Sequence, residues 1–173
     1  MTTIRTEEPR DAAAIRALNE KVFGRRDEAD LIERLREDCP GLLSMVAEQE
    51  GKLVGHVLFS PVVLETPGEK DDLLGMGLAP LAVNSRRRGE GIGRKLVENA
   101  LLVLQVRGCN FVVVLGDPDY YGRFGFEPAE NHGITCQWKG VPEGAFQIIL
   151  LNTSVLGNSR GRARYRREFS ELA

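Results

Sequence analysis

Cysteine is scarce in this 173-residue chain, and its three copies, Cys39, Cys109 and Cys136, are odd in number and far apart. That excludes a disulfide framework and the paired-cysteine spacing of a zinc site, and leaves reduced, mostly buried thiols. Histidine is scarcer still: His56 and His132 have no acidic or cysteine neighbour at metal-ligand spacing, so no metal is expected. Both remain open as pocket residues. Long apolar runs are also missing. The longest, such as Ala100–Leu104 and Phe111–Leu115, fall far short of the ~20 residues that cross a bilayer. With no basic-then-apolar leader, the chain is expected to be cytoplasmic and to have no membrane partner. No internal repeat or low-complexity segment is evident.

What is present describes a soluble globular protein. Apolar residues make up 42% of the chain and charged residues 28%, and the length suffices to bury a core without disulfides or metal. The net charge of −2 hides an asymmetry. Residues 155–173 hold five arginines (160, 162, 164, 166 and 167) against two glutamates, and that +3 leaves −5 on the remainder. A basic tail can meet nucleic acid or an acidic partner. It carries no nucleic-acid motif, however, and Tyr165, Phe169 and Leu172 fall at helical spacing that suits docking on an apolar edge. The expected organisation is one domain over residues 1–154 and a docked basic tail over 155–173, with no nucleic-acid partner.

Periodicity orders the rest. Thr3-Ile4-Arg5 reads as a first strand, and Pro9 and Asp11 sit where a helix would start, with Ala12, Ile15, Leu18 and Val22 on one face. Asp27 and Asp30 open a second helix that buries Leu31, Ile32 and Leu35 and stops at Pro40-Gly41. Leu43–Ala47 and Leu53–Phe59 form a hairpin across Glu50-Gly51, and Leu73–Val83 returns as a third run. Ile92–Arg107 is the clearest helix, with Leu96, Ala100, Val103 and Leu104 inward and Gly108 as cap. Phe111–Leu115 follows as a strand buried on both faces, which makes one parallel βαβ crossover. A short helix near Asp119–Arg123 and a closing hairpin of Ile134–Trp138 with Phe146–Leu151 complete the chain.

The most informative segment joins Leu78–Val83 to the long helix: Arg88-Gly89-Glu90-Gly91-Ile92-Gly93. Alternate glycines permit backbone angles closed to other residues and let main-chain N–H groups approach an anion. The helix start adds unpaired N–H groups and the positive end of its dipole. Arg88, Arg94 and Lys95 place cations at the same spot. A dinucleotide turn is the strongest competitor, because Asp117 lies where a ribose-binding acid would. The spacing Gly-x-Gly-x-Gly and the single crossover argue against it, and no Gly-Lys-Ser/Thr follows for a triphosphate loop.

The chain resembles the GNAT superfamily of acetyl-CoA-dependent N-acetyltransferases. Its Arg/Gln-x-x-Gly-x-Gly/Ala signature is matched by Arg88–Gly93, and its tyrosine before Gly-Phe by Tyr121-Gly122-Arg123-Phe124-Gly125-Phe126. The likeness spans residues 3–151. It implies an α+β single-domain fold, with a mixed, mostly antiparallel twisted sheet, one parallel crossover and flanking helices. It implies acetyl-CoA as co-substrate, with Arg88, Gly89, Glu90, Gly91, Ile92, Gly93 and Arg94 around the pyrophosphate and the backbone of Leu81, Ala82 and Val83 along the pantetheine arm. Strands splayed at Leu81–Val83 and Phe111–Leu115 would admit the thioester, and Tyr121 would contact the cofactor and protonate the leaving thiolate. The acceptor would be a primary amine on a small molecule or peptide, attacking directly in a ternary complex. A homodimer is one possible assembly.

One feature of the superfamily is missing. The run Leu73–Leu78 carries no glutamate to act as base, which leaves Asp71, Asp72, His56, Glu65, Asp117 or a water relay. The alternative reading is an acyl-CoA-binding sensor or interaction module without turnover. Acceptor choice would rest on loops near residues 24–41, 60–75 and 129–145.

Overall fold

The computed structural model describes residues 1–156 and 160–172, with the backbone alone at 155, 156, 171 and 172. These residues form two compact units. The first comprises Met1–Ser60, Ala79–Leu102 and the residues from 167 onward, and the second Pro61–Leu78 with Val103–Arg166.

In the first unit, β1 (Thr3–Thr6) pairs antiparallel with β2 (Leu43–Gln49), and β2 pairs antiparallel with β3 (Lys52–Glu65), Leu43 lying opposite Phe59. The hairpin turns at Glu50 and Gly51, both at positive φ, which matches the right-handed twist of the strands it joins. Helix α1 (Ala12–Phe23) follows a 3-10 turn at Pro9–Asp11, and α2 (Asp27–Asp38) buries Leu31, Ile32 and Leu35 as the periodicity predicts. Helix α3 (Ile92–Val106) begins in this unit and buries Ile92, Leu96, Val97 and Ala100. It lies close on β3, because Gly55 has no side chain. A Cβ there would sit 2.8 Å from Ile92 Cγ2 and 2.9 Å from Leu96 Cδ1.

The second unit contains the first half of β4 (Leu73–Val83) and β5 (Phe111–Leu115), which run parallel with Met76, Gly77 and Leu78 opposite Val112, Val113 and Val114. A short helix, α4 (Pro118–Gly122), and a two-residue strand, β6 (Glu127–Pro128), follow. Then come β7 (Ile134–Cys136), β8 (Phe146–Leu150), α5 (Thr153–Leu156) and β9 (Gly161–Arg164). Strand β8 pairs antiparallel with both β5 and β6. The hydrogen-bonded strand order is β1-β2-β3-β4-β5-β8-β6, with β3 and β4 contributing residues to both units. No described helix is long and apolar enough to cross a membrane.

Three expectations change. β7 and β8 do not form a hairpin: β7 pairs parallel with β9, while β8 lies between β5 and β6, where Phe146, Gln147 and Ile148 are buried. Tertiary burial, not proximity in sequence, chose the partners. The tail contributes a strand over 161–164 that the sequence reading did not anticipate, with Ala163 buried between exposed Arg162 and Arg164 and paired with both β3 and β7. That alternation has the period of a half-buried strand, whereas Tyr165 and Phe169, part of the helical spacing read from the sequence, lie beyond it and are both buried. A 3-10 turn at Arg167–Leu172 follows and buries Phe169; the side chain of Leu172 lies outside what is described. Leu115 ends β5 at 45% exposure, so the strand is buried only from Phe111 to Val114.

Two predictions follow from the first unit. Gly55→Val would force α3 off β3, and urea unfolding is expected to show a loss of about 1–3 kcal/mol. The second concerns the Arg5 guanidinium, which forks onto both oxygens of the buried Asp11 carboxylate at 2.7 and 3.0 Å and also reaches Glu48 at 2.8 Å. Asp11 further accepts the Glu8 N–H at 2.7 Å. The Arg5 bond in first place lowers the Asp11 pKa from 3.8 to about 2. The carboxylate therefore contributes stability above its unfolded pKa, and this is lost as pH falls through about 2. Asp11→Asn is expected to cost about 1–3 kcal/mol at neutral pH, with the gap to the parent protein closing in acid unfolding curves.

Candidate active site

The first unit carries the glycine turn. Strand β4 ends with Ala82 buried between half-buried Leu81 and Val83. Asn84 then anchors the exit: its N–H donates to Val54 O at 2.8 Å, and its Oδ1 accepts the Arg86 N–H at 3.0 Å, setting up a 3-10 turn at Ser85–Arg87. Arg88, Gly89, Glu90 and Gly91 are exposed. Gly89 and Gly91 adopt φ of 87° and 77°, and no heavy atom lies within 4 Å of where a Cβ would stand on either. Gly93 differs. It is buried in the first turn of α3 and is not left-handed. The bond from Lys95 N–H to Gly91 O (3.0 Å) closes the first helical turn, so the helical ladder offers no partner to the N–H groups of Ile92, Gly93 and Arg94.

Side chains around the turn sort by charge. Glu90 is drawn aside by Gln49, whose amide donates to it at 3.3 Å, and by Arg87 at 3.8 Å. Arg94 pairs with Glu98 one turn along α3 at 2.7 Å. Arg88 is exposed on the turn itself. The arrangement presents main-chain donors, the positive end of a helix and exposed cations, which together suit a phosphate group.

Tyr121 stands in the second unit on α4, which Asp117 caps by accepting the Asp119 N–H at 2.9 Å. Its ring meets Tyr120 edge-on at 4.9 Å and Phe126 at 5.8 Å, and it lies over Gly116, where a Cβ would be 2.6 Å from Cε2. Burial pushes its pKa up, with Tyr120 adding to the effect. Tyr121 is therefore a phenol that keeps its proton. Tyr120 instead stacks under the Arg123 guanidinium, 4.5 Å from the ring centre. The parallel β4–β5 ladder extends to Leu78 and Val114. Of the splay expected at Leu81–Val83 and Phe111–Leu115, Val112–Val114 are instead paired, while Leu81–Val83 fall beyond the last pair of the ladder.

The base candidates fare differently. His56 is fully buried in the first unit, and both ring nitrogens are engaged: Asn19 Nδ2 faces Nδ1 at 3.3 Å, and Ser44 Oγ faces Nε2 at 2.9 Å. Ser44 in turn donates to Glu7 at 3.2 Å, and Arg36 holds Glu7 at 2.7 Å. These donors place the ring proton on Nε2. Burial, helped by Arg36, pushes the His56 pKa down to about 3, so the ring stays neutral and is a poor proton acceptor. Glu65 is tied to Arg164 at 2.8 Å and Arg162 at 3.6 Å, and Asp117 is occupied as a cap. Asp71 and Asp72 are exposed, and Asp72 lines an open polar cleft of about 640 Å³ with Glu65, Thr66, Thr135 and Arg162. Among the described residues no group of three or more His, Cys, Asp or Glu side chains could hold a metal.

Sequence reasoning missed the Asn19–His56–Ser44–Glu7 chain, whose members are separated in sequence and carry no motif. It also missed the contact of Trp138 with Tyr165, whose rings lie tilted with centres 4.9 Å apart. The only signal was the Gly140 and Gly144 bracket, which marks a shaped loop without saying what it encloses.

Comparison with known proteins converges on one family. Residues 3–129 match the sequence model of the acetyltransferase (GNAT) domain. The chain is 44% identical over 170 residues to the N-acetyltransferase YhbS of Escherichia coli K12, covering 98% of this chain and 99% of that protein. It is 41% identical over 136 residues to YjhQ, an N-acetyltransferase of the same organism, covering 77% and 74%. The crystal structure of YhbS in complex with CoA superposes with a TM-score of 0.90 at 42% identity, covering 99% of this chain and 93% of that one. A GNAT acetyltransferase from Brucella melitensis in complex with acetyl-CoA gives a TM-score of 0.75 at 34% identity, covering 98% of each chain. With its mixed sheet, the parallel β4–β5 pair and the helix that follows the glycine turn, this chain belongs to the GNAT family of N-acetyltransferases.

Proposed function

We propose that this chain transfers the acetyl group of acetyl-CoA to a primary amine on a small molecule or peptide, by direct attack in a ternary complex. The observation that carries this reading is the turn at Gly89 and Gly91, open on both sites of a missing Cβ and backed by the unladdered amides of α3. The cradle fits a diphosphate. Arg88 to Arg94 would hold it through the main chain, and the backbone of Leu81, Ala82 and Val83 would run beside the pantetheine arm. Relatives at 42% and 34% identity crystallised with CoA and acetyl-CoA support the same reading.

Bound acetyl-CoA supplies an activated thioester. The amine nitrogen bonds to the carbonyl carbon while the C–S bond breaks, the nitrogen gives up one proton, and the thiolate takes one up. Tyr121 is the proposed donor of that last proton, and its raised pKa keeps it protonated across the working range. With His56 neutral and enclosed, and Glu65 and Asp117 engaged, the amine's proton goes to water or an exposed carboxylate. The engagement of His56, Glu65 and Asp117 favours a second reading, an acyl-CoA sensor without turnover. Release of free thiol over an amine panel separates the two.

Acetyl-CoA at a hundredfold excess over its Kd is expected to raise stability by about 2.7 kcal/mol in a thermal shift, and NADH is not. Gly91→Val, strained at φ 77° and projecting into the approach, should weaken acetyl-CoA binding by roughly tenfold or more; undiminished affinity would count against the turn. Tyr121→Phe is expected to lower kcat by about a hundredfold with acetyl-CoA affinity nearly unchanged. An unaltered kcat removes Tyr121 from the donor role.

A further inference from the structure

We propose that the cleft beside Trp138 is the acceptor site and that it takes a small primary amine carried on an apolar ring or chain. The proposal rests on the acetyl transfer proposed above and names its substrate class. The cleft lies within the second unit, under the loop that leaves β7 after Cys136 and rejoins β8 at Phe146. Gly140 and Gly144, both at φ 76°, bend that loop, and the Gly116 N–H holds its far end by donating to Ala145 O at 3.0 Å. The space beneath is about 250 Å³. Benzene fills an apolar cavity of roughly 150 Å³, so there is room for one ring and a short arm.

The lining selects by chemistry. Ile134 and Phe146 are buried, Trp138 and Val141 are partly covered, and the exposed Glu130 and Glu143 bring negative charge to the same opening. No lysine or arginine is among the lining residues; Lys139 lies between Trp138 and Gly140 in the chain but outside the lining. An ammonium approaching in water meets two carboxylates and an indole, while its carbon skeleton has apolar walls to cover it. The larger cleft of this unit is a poorer host. There Arg162 and Arg164 already neutralise Glu65, and Arg162 itself lines the space.

Position supports the assignment. Trp138 packs on Tyr165 with ring centres 4.9 Å apart and tilted by 45°, and Tyr165 N–H donates to Gln137 Oε1 at 2.6 Å. Cys136, next to Gln137 in the chain, lines the cleft. The Tyr165 ring covers Gly77 of β4, opposite Val113 of β5, where a Cβ would be 2.7 Å from Cε2. The link to the proposed proton donor is Gly116: its N–H holds the loop at Ala145, and the Tyr121 ring covers it so closely that a Cβ there would be 2.6 Å from Cε2.

Trp138 is the chain's sole tryptophan, so its fluorescence reports on the cleft whether or not transfer occurs. Titration of the full-length protein with 2-phenylethylamine is expected to give a saturable change, and ethanolamine none. Val141→Phe, which fills the space, and the exposed Glu143→Gln should each weaken binding by roughly tenfold, with the acetyl-CoA thermal shift retained. In thiol release, 2-phenylethylamine should exceed ethanolamine by about tenfold or more in kcat/KM. A non-saturable signal, equal responses to both amines, or variants that bind like the parent would overturn the proposal. Loss of the acetyl-CoA shift in the parent protein would instead overturn the acetyltransferase reading, and the fluorescence titration would still decide the cleft.

Discussion

The first amides of any α-helix lack helical acceptors, and in this chain they directly follow an exposed turn that side chains do not crowd. Gly89 and Gly91 take left-handed angles with open space where a Cβ would stand, and Lys95 closes the first helical turn behind them. Main-chain donors of this kind cost no reorganisation when an anion arrives, because strand β4 and helix α3 already fix their direction. The close approach of α3 to Gly55 matters for the same reason. Burying Ile92 and Leu96 against β3 locks the turn's helical side in place.

The first unit also spends a set of polar side chains on rigidity. Asn19, His56, Ser44, Glu7 and Arg36 form a continuous hydrogen-bonded chain, and burial keeps the histidine neutral. A buried polar network of this kind specifies one arrangement, because any slip leaves a desolvated donor or acceptor without a partner. His56 is better understood as part of that frame than as a proton acceptor. The Arg5–Asp11–Glu48 cluster joins β1 to β2 and to the start of α1 in the same way.

In the second unit aromatic packing replaces ion pairing as the organising contact. Tyr121 is wedged among Tyr120, Phe124 and Phe126, and Tyr165 lies between Trp138 and the backbone of Gly77. Rings packed this closely have few alternative positions, which fixes both phenols and buries that of Tyr165. The tail supplies Tyr165 through β9, whose pairing with β3 and β7 makes this basic segment part of the fold.

Elements with strong local periodicity were legible in the amino-acid sequence: the helices at 12–23, 27–38 and 92–106, the 43–65 hairpin, and the crossover into Phe111–Leu115. The glycine turn was legible as well, because φ above zero at Gly89 and Gly91 demands the residue that stands there. Strand partnership beyond the crossover was not. β8 inserts beside β5 and β9 runs parallel to β7 because buried area across distant segments decided the pairing, and no local pattern encodes that competition. The same holds for side-chain roles. Sequence offered His56, Glu65 and Asp117 as equals among possible bases; only folding showed one buried, one ion-paired and one capping a helix. Backbone chemistry follows from residue type along the chain, whereas a titratable group takes its character from neighbours that only tertiary structure brings into reach.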